Sequence, residues 1–182
     1  MNQAIQEQPG TKTTERPLYS PGLEGVIAGE SALCQVDEGE AGLRYRGYAI
    51  GDLAKWSRFE EVAYLLLIGH LPTRSELDSF STLLRGHRVL PDPVQRFIDS
   101  LQPGLHPMDV LRTGISLLGL SDPDAQDGSH EANLRKSMRL LSQIPLLIAH
   151  SYRVMSGILP PRQDESRDFA QHLLHLVAGH KD

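Results

Sequence analysis

Cysteine is almost missing from this 182-residue sequence: Cys34 stands alone. A single thiol excludes an internal disulfide, and no paired-cysteine spacing offers a zinc or iron–sulfur ligand set, so the sequence fits a reducing compartment. Cys34 is expected to act as a small buried hydrophobe rather than a reactive thiol. Basic charge is also scarce. A formal net charge of −5 and a pI near 5.9 leave no cationic excess to hold nucleic acid or an anionic membrane. Aromatic residues make up only 5% of the chain, too few for a base-stacking platform without a basic stripe beside them, so Tyr45, Tyr48, Trp56, Phe59 and Tyr64 read as packing residues. Long apolar runs are lacking as well. None reaches the ~20 residues that cross a bilayer, and the opening MNQAIQEQPGTKTTERP has no apolar stretch of the kind a secretory signal needs. A soluble, cytoplasmic protein is expected, and no repeat of fixed period is present.

What the sequence does contain is a 40% hydrophobic content, enough for one domain with a real core or for a large piece of something bigger. Residues 1–18 are polar, carry no periodicity and read as a flexible arm; 19–182 read as the folded part. Tyr19–Leu23 suggests a turn. Gly25–Glu30 and Ser31–Val36 read as short extended runs, and Glu38–Gly42 as an acidic turn. Leu43–Tyr48 alternates apolar and basic residues like a half-buried strand, so a small sheet is expected.

Beyond Gly47 the pattern is helical. Ile50, Leu53 and Ala54 mark a short turn of helix. Ser57 with Glu60 has the form of a capping box ahead of an apolar run ending at Gly69, and Thr73 with Glu76 repeats the form after Pro72. The four residues between these helices require them to be close neighbours. Pro91-Asp92-Pro93 starts a helix with Val94, Phe97, Ile98 and Leu101 on one face. Pro107 suits the first turn of the next, whose apolar face is expected to be Met108, Leu111, Ile115 and Leu118, with Asp109 complementing the macrodipole. Ser121–Ser129, with three aspartates but no calcium-loop spacing, reads as a solvated turn. A long helix then runs from Ser129 towards Gly157 with Leu134, Met138, Leu141, Ile144, Leu147, Ile148 and Tyr152 inward, and Pro145 predicts a kink or break near 141–143. After Pro160-Pro161 a last helix is expected over 166–178, carrying Phe169, Ala170, Leu173, Leu174 and Val177. The fold class is mainly α, multi-helical, with a small β element near the N-terminus.

The residues assemble no chemistry by spacing. His70, His87, His106, His130, His150, His172, His175 and His180 are scattered. His172 and His175 share a helix face, but no carboxylate or cysteine completes a metal set, so they read as partly exposed helix residues. His130-Glu131 lacks the second histidine of a zincin helix, and no phosphate-cradling glycine loop or nucleophile elbow occurs. Arg44 and Arg46 with Glu38 and Glu40 suggest a surface charge network more than an anion site. Arg112, on an apolar helix, is expected to be held by a buried or interfacial carboxylate. No catalytic, cofactor-binding or metal-binding residue is assigned.

Several blocks taken together resemble the citrate synthase family. They are Gly22-Leu23-Glu24-Gly25-Val26; Leu43-Arg44-Tyr45-Arg46-Gly47-Tyr48 with Ile50 and Asp52-Leu53; Phe59-Glu60-Glu61-Val62-Ala63-Tyr64-Leu65-Leu66 with Gly69, Leu71-Pro72-Thr73 and Glu76-Leu77; and His106-Pro107-Met108-Asp109-Val110-Leu111-Arg112-Thr113. Ile144-Pro145 through Tyr152-Arg153 and the last helix continue the likeness, which covers about residues 19–180. The resemblance implies the N-terminal part of the large helical domain of an enzyme that condenses acetyl-CoA with oxaloacetate to citrate. It implies two histidines and an aspartate as catalytic groups, but no Gly-His-Gly loop, Gly-His-Arg block or later aspartate occurs before Asp182. The catalytic part is therefore expected to be absent from this chain. Acetyl-CoA is implied as cosubstrate of the complete enzyme, with no tightly bound cofactor. A homodimer, or association with the missing C-terminal half, is the implied partnership, with 106–120 and the kinked helix as its surface. A 2-methylcitrate synthase fragment using propionyl-CoA, and a short non-catalytic relative docking on a full-length synthase, are the alternatives. Leu147, Ile148, Leu173 and Leu174 are expected to form an exposed apolar patch that drives association or marginal stability.

Overall fold

A 26-residue helix, α6 (His130–Met155), is the post on which the described helices are hung. At about 1.5 Å per residue it is roughly 39 Å long. The computed structural model describes residues 22, 26, 29–36, 42–159 and 167–179. The chain divides into two compact units, 1–31 and 32–182; of the first, only Gly22, Val26 and 29–31 are described, and they are exposed. The expected arm, most of the Tyr19–Leu23 turn and the Gly25–Glu30 run, the acidic turn before Gly42, Pro160-Pro161 and His180 lie outside the described residues.

The second unit opens with a three-stranded antiparallel sheet of β1 (Cys34–Val36), β2 (Leu43–Tyr45) and β3 (Tyr48–Ala49), in that order. Cys34 pairs with Tyr45, and Tyr45 with Tyr48. The β2–β3 loop is Arg46-Gly47, both at positive φ (48° and 89°), which is the geometry that matches strand twist in a two-residue hairpin. Cys34 is exposed. The burial expected of it fails because β1 is a three-residue edge strand, exposed at all three positions.

Helix α1 (Ile50–Trp56) leads to α2 (Phe59–Ile68). The expected Ser57–Glu60 box is shifted by one residue: Arg58 N–H donates to Glu61 Oε2 at 2.8 Å, while Ser57 closes α1 by donating to Leu53 O. This releases Glu60, which is buried and accepts the Phe169 N–H at 2.7 Å, holding the start of α7 (Phe169–Ala178). Gly69 ends α2 at φ 108° as its position foretold. Helix α3 (Arg74–Gly86) starts at the expected box: Glu76 Oε2 accepts from Thr73 N at 2.7 Å and the Glu76 N–H donates to Thr73 Oγ1. Hydrogen bonds from the Thr73 backbone and hydroxyl lower the Glu76 carboxyl from 4.5 to about 2. Because the folded-state value lies below the ordinary one, the box contributes fully above pH ~4.5 and fades as pH falls towards ~2. Replacing Thr73 with Ala is expected to destabilise the protein by ~1 kcal/mol, and to return the Glu76 titration, followed by NMR, towards its ordinary value.

Helices α4 (Asp92–Asp99) and α5 (Pro107–Leu120) follow, started at Pro91 and Pro107 as their prolines foretold. Val94, Ile98, Leu101, Val110, Leu118 and Leu147 form the main buried cluster between α4, α5 and α6. The buried face of α5 is Val110, Gly114 and Leu118, not the expected Met108 and Ile115, which are exposed. Gly114 sets this rotation. It carries no side chain, so Leu147 of α6 fills the space a methyl would take, 2.5 Å from its Cδ1. Helix α6 runs on through Pro145, so of the kink or break expected near 141–143 the break does not occur. Leu146 and Ala149 face Leu176 of α7, whereas Ile148 and Tyr152, expected inward, are exposed. Ala63, Phe80 and Leu84 form the α2–α3 cluster, onto which Met138 and Leu141 pack. The last helix starts at Phe169 with Asp168 as its cap, later than 166, and buries His172 and Leu176. No described helix is long and apolar enough to cross a membrane.

Candidate functional site

Charge is concentrated at the α5–α6 turn. Arg139 donates to Asp122 Oδ1 and Oδ2 at 2.7 and 2.8 Å and to Asp124 Oδ2 at 2.6 Å, and Arg135 grips Asp124 in a second bidentate pair. The side chains of Arg139 and Asp122 are 15% and 12% exposed. Pro123 and 125–129 of the expected solvated turn are exposed, while Asp122 and Asp124 are drawn into an ion-pair cluster because Arg135 and Arg139, one helical turn apart on α6, both reach over them. Burial pushes the Asp122 carboxyl up, but hydrogen bonds from Arg139 and from Asp124 N–H outweigh it and leave it below the usual range. Asp124, gripped by Arg135 and Arg139, lies well below it. Every oxygen of the pair is engaged, so the cluster works as a clasp on the turn.

The described histidines do not converge on a metal site. His70 lies 3.6 Å from Glu76 on open surface. His106 caps α5 by accepting from Met108 N, and His87 closes α3. Burial, then the nearby Arg153 charge, lowers the pKa of His150. His172 is 3% exposed, against the expectation of a surface residue, because α7 turns that side onto the core. Among the described residues no three His, Cys, Asp or Glu side chains come together as a metal site.

The arginines are scaffolding. Arg112 pairs with Asp109 one turn away and is 79% exposed, so the expected buried carboxylate is not its partner: its side of α5 faces away from the core. Arg44 donates to Gly47 O within the hairpin, and Arg46 donates to Leu66 O near the C-terminus of α2; Glu38 and Glu40 lie outside the described residues. Arg153, to which the sequence reading gave no role, is 7% exposed. It donates to Leu159, Leu176 and Val177 carbonyls and so ties the end of α6 to the end of α7. The spacing Leu146, Ala149, Arg153 on one helix face is the sequence signal that could have found it. Of the aromatics, Tyr64 packs edge-on against Phe80 and Phe59 stacks on Phe169. Trp56 does not pack inward; it is 74% exposed with Lys55 over its ring.

Two of the grooves among the described residues are bordered mainly by apolar side chains. One, of about 390 Å³, lies between α5, α6 and α7 and is bordered by Met108, Leu111, Ile148, Tyr152, Met155 and Val177. Ser151 Oγ, buried in its wall, has no hydrogen-bond partner among the described residues. Leu147 also lines it but is fully buried by the main cluster; of the expected patch Ile148 and Leu174 are exposed, and Met108 and Tyr152 are exposed as well. The other groove, of about 450 Å³, lies between α2 and α6. Both offer apolar contact and no acid–base pair.

Compared with known proteins, residues 22–182 match the family described as "Citrate synthase, C-terminal domain". The 2-methylcitrate synthase of Shewanella oneidensis is 39% identical over 165 residues, 90% of this chain and 43% of that one. The crystal structure of citrate synthase from Thermotoga maritima superposes with a TM-score of 0.76 at 32% identity, covering 88% of this chain and 42% of its own. That of citrate synthase from Pyrobaculum aerophilum superposes at 0.80 and 29% identity, covering 97% and 48%. The chain spans less than half the length of each.

Proposed function

This chain belongs to the citrate synthase family, and on that premise we propose that it is the N-terminal portion of an enzyme that condenses an acyl-CoA with oxaloacetate. The family match over 22–182 carries the reading. The matched description names a C-terminal domain; the order of the motifs from Gly22 to Thr113 supports the earlier half of the family's sequence instead. In the complete enzyme a base takes the α-proton of the acyl-CoA, the enol-like carbon attacks the ketone carbon of oxaloacetate, and water then cleaves the thioester to release CoA. Acetyl-CoA yields citrate; propionyl-CoA yields 2-methylcitrate, the product in the name of the Shewanella relative. The chain's own part is scaffolding, in a cytoplasmic enzyme with no tightly bound cofactor. The purified 182-residue chain, given oxaloacetate with acetyl-CoA or propionyl-CoA, is expected to release no free thiol above the blank. Turnover by the chain alone would overturn the reading.

The α5–α6–α7 groove supports a homodimer as the working assembly. Its exposed Met108, Ile148 and Tyr152 form an apolar strip flanked by the Asp109–Arg112 pair, a pattern that a second copy related by a two-fold axis can complement. Replacing Ile148 with Asp is expected to weaken self-association, measured by sedimentation, by at least ~10-fold, the scale of a central interface residue. An unchanged association constant would remove this face from the interface.

A further inference from the structure

Of the chain's four methionines three are described, and they are not equally open. Met138 is half-buried on the α2–α3 cluster and Met155 is half-buried on the main one, whereas Met108 is 61% exposed. Met108 stands in the first turn of α5, at the edge of the α5–α6–α7 groove and beside the Asp109–Arg112 pair. A thioether reacts where an oxidant can reach it, so exposure selects Met108 over the other two. The step is a two-electron oxidation by a peroxide. A sulfur lone pair attacks one peroxide oxygen, the S–O bond forms as the O–O bond breaks, and the departing hydroxide takes up the proton and leaves as water. A flexible apolar side chain becomes a polar one with a strong hydrogen-bond acceptor. In the free chain water solvates that oxygen. Against a second copy it would lose this water and need a donor in exchange. The side chains lining the groove are apolar apart from Ser151 and Tyr152, and Ser151 Oγ has no open surface to present. The strip that favours association while Met108 is reduced therefore opposes it once Met108 is oxidised.

We propose that Met108 is a redox switch on this face: oxidation to the sulfoxide by a peroxide separates two copies of the chain, and reduction of the sulfoxide lets them associate again. The inference rests on the homodimer reading above. A second copy covers Met108, so the free chain is the form that is oxidised, and the sulfoxide then keeps it free. The test treats the 182-residue chain with hydrogen peroxide, with Cys34→Ser throughout so that the exposed thiol takes no part. Peptide mass spectrometry locates the added oxygen and sedimentation gives the association constant. Oxygen is expected on Met108 ahead of Met138 and Met155, with association weakened at least ~10-fold, the scale of one polar group buried without a partner. The two methionine sulfoxide reductases, one for each epimer, should restore it. Met108→Leu, whatever its own constant, is expected to keep that constant through the same treatment. Met108→Gln, checked for unchanged circular dichroism, should associate weakly with no peroxide added. Unchanged association with Met108 fully oxidised, or an equal loss in the Met108→Leu chain, would each overturn the switch. Failure of the homodimer reading shows separately: association that Ile148→Asp leaves unchanged removes both the interface and the switch, whereas association that Ile148→Asp breaks and Met108 oxidation does not removes the switch alone.

Discussion

Replacing Leu147 with Ala is expected to destabilise the folded chain by about 2–5 kcal/mol, the range for a fully buried leucine that leaves a cavity. Leu147 has no exposed surface and joins α6 to the cluster of Val94, Ile98, Val110 and Leu118. Its two methyl groups occupy the space where a Gly114 side chain would begin, 2.5 and 2.6 Å from an ideal Cβ. Gly114→Ala therefore adds a methyl to a filled site. Overpacking of this kind costs ~1–3 kcal/mol, offset by the ~1 kcal/mol that alanine gains over glycine in a helix interior. The net effect is expected to be a small destabilisation, because Leu147 has to leave its place in the main cluster and shift towards the groove that it lines to admit the methyl. In the double variant the new methyl moves into the vacated space, so the loss should fall short of the sum of the two single losses by ~0.5–3 kcal/mol, the usual coupling of contacting residues. Urea unfolding with an unchanged m-value is the measurement. Strict additivity would show that the α5–α6 approach does not depend on this pair.

Arg153→Met is the second large effect. The guanidinium is 7% exposed and serves the Leu159, Leu176 and Val177 carbonyls at once. A helix leaves its last carbonyls without partners, and a cation near that end is favoured by the helix dipole as well. Methionine fills much of the volume but donates nothing, so three buried or half-buried acceptors lose their partner. Hydrogen bonds to a charged group contribute ~1.5–3 kcal/mol each, and the partial recovery by water makes ~3 kcal/mol the expected total. Hydrogen exchange should show the loss first in α7, residues 169–178, before α4 and α5. Arg153→Lys should recover only part of it, since one ammonium cannot span three carbonyls in the plane of the guanidinium. Uniform loss of protection across α4, α5 and α7 would indicate that Arg153 acts on the whole core and not as the α6–α7 tie.

Element positions were legible where the chain uses local chemistry. The Thr73–Glu76 box, Gly69, Pro91 and Pro107 all stand where their residue types foretold, because caps and proline φ are decided within four residues. Helix faces were less legible. Met108 and Ile115 share their expected apolar face with Leu118, and the meeting of Gly114 with Leu147 is what turns the Val110–Gly114–Leu118 side inward. The Ser57–Glu60 spacing likewise matched a box, yet Glu60 is drawn off to Phe169, 109 residues away. Acidity in the Asp122–Asp127 turn was plain; that Arg135 and Arg139 close over it follows from the path of α6.

The sequence by itself determined the family, the mainly helical class and the order of the elements, because motif, capping and periodicity are written in neighbouring residues. Only the tertiary structure decided which apolar residues are core and which are left as open grooves. It also made Glu60 and Arg153 ties between distant elements. Those outcomes depend on contacts between segments as far as 109 residues apart, and burial is a property of what a face meets, not of the residues that compose it.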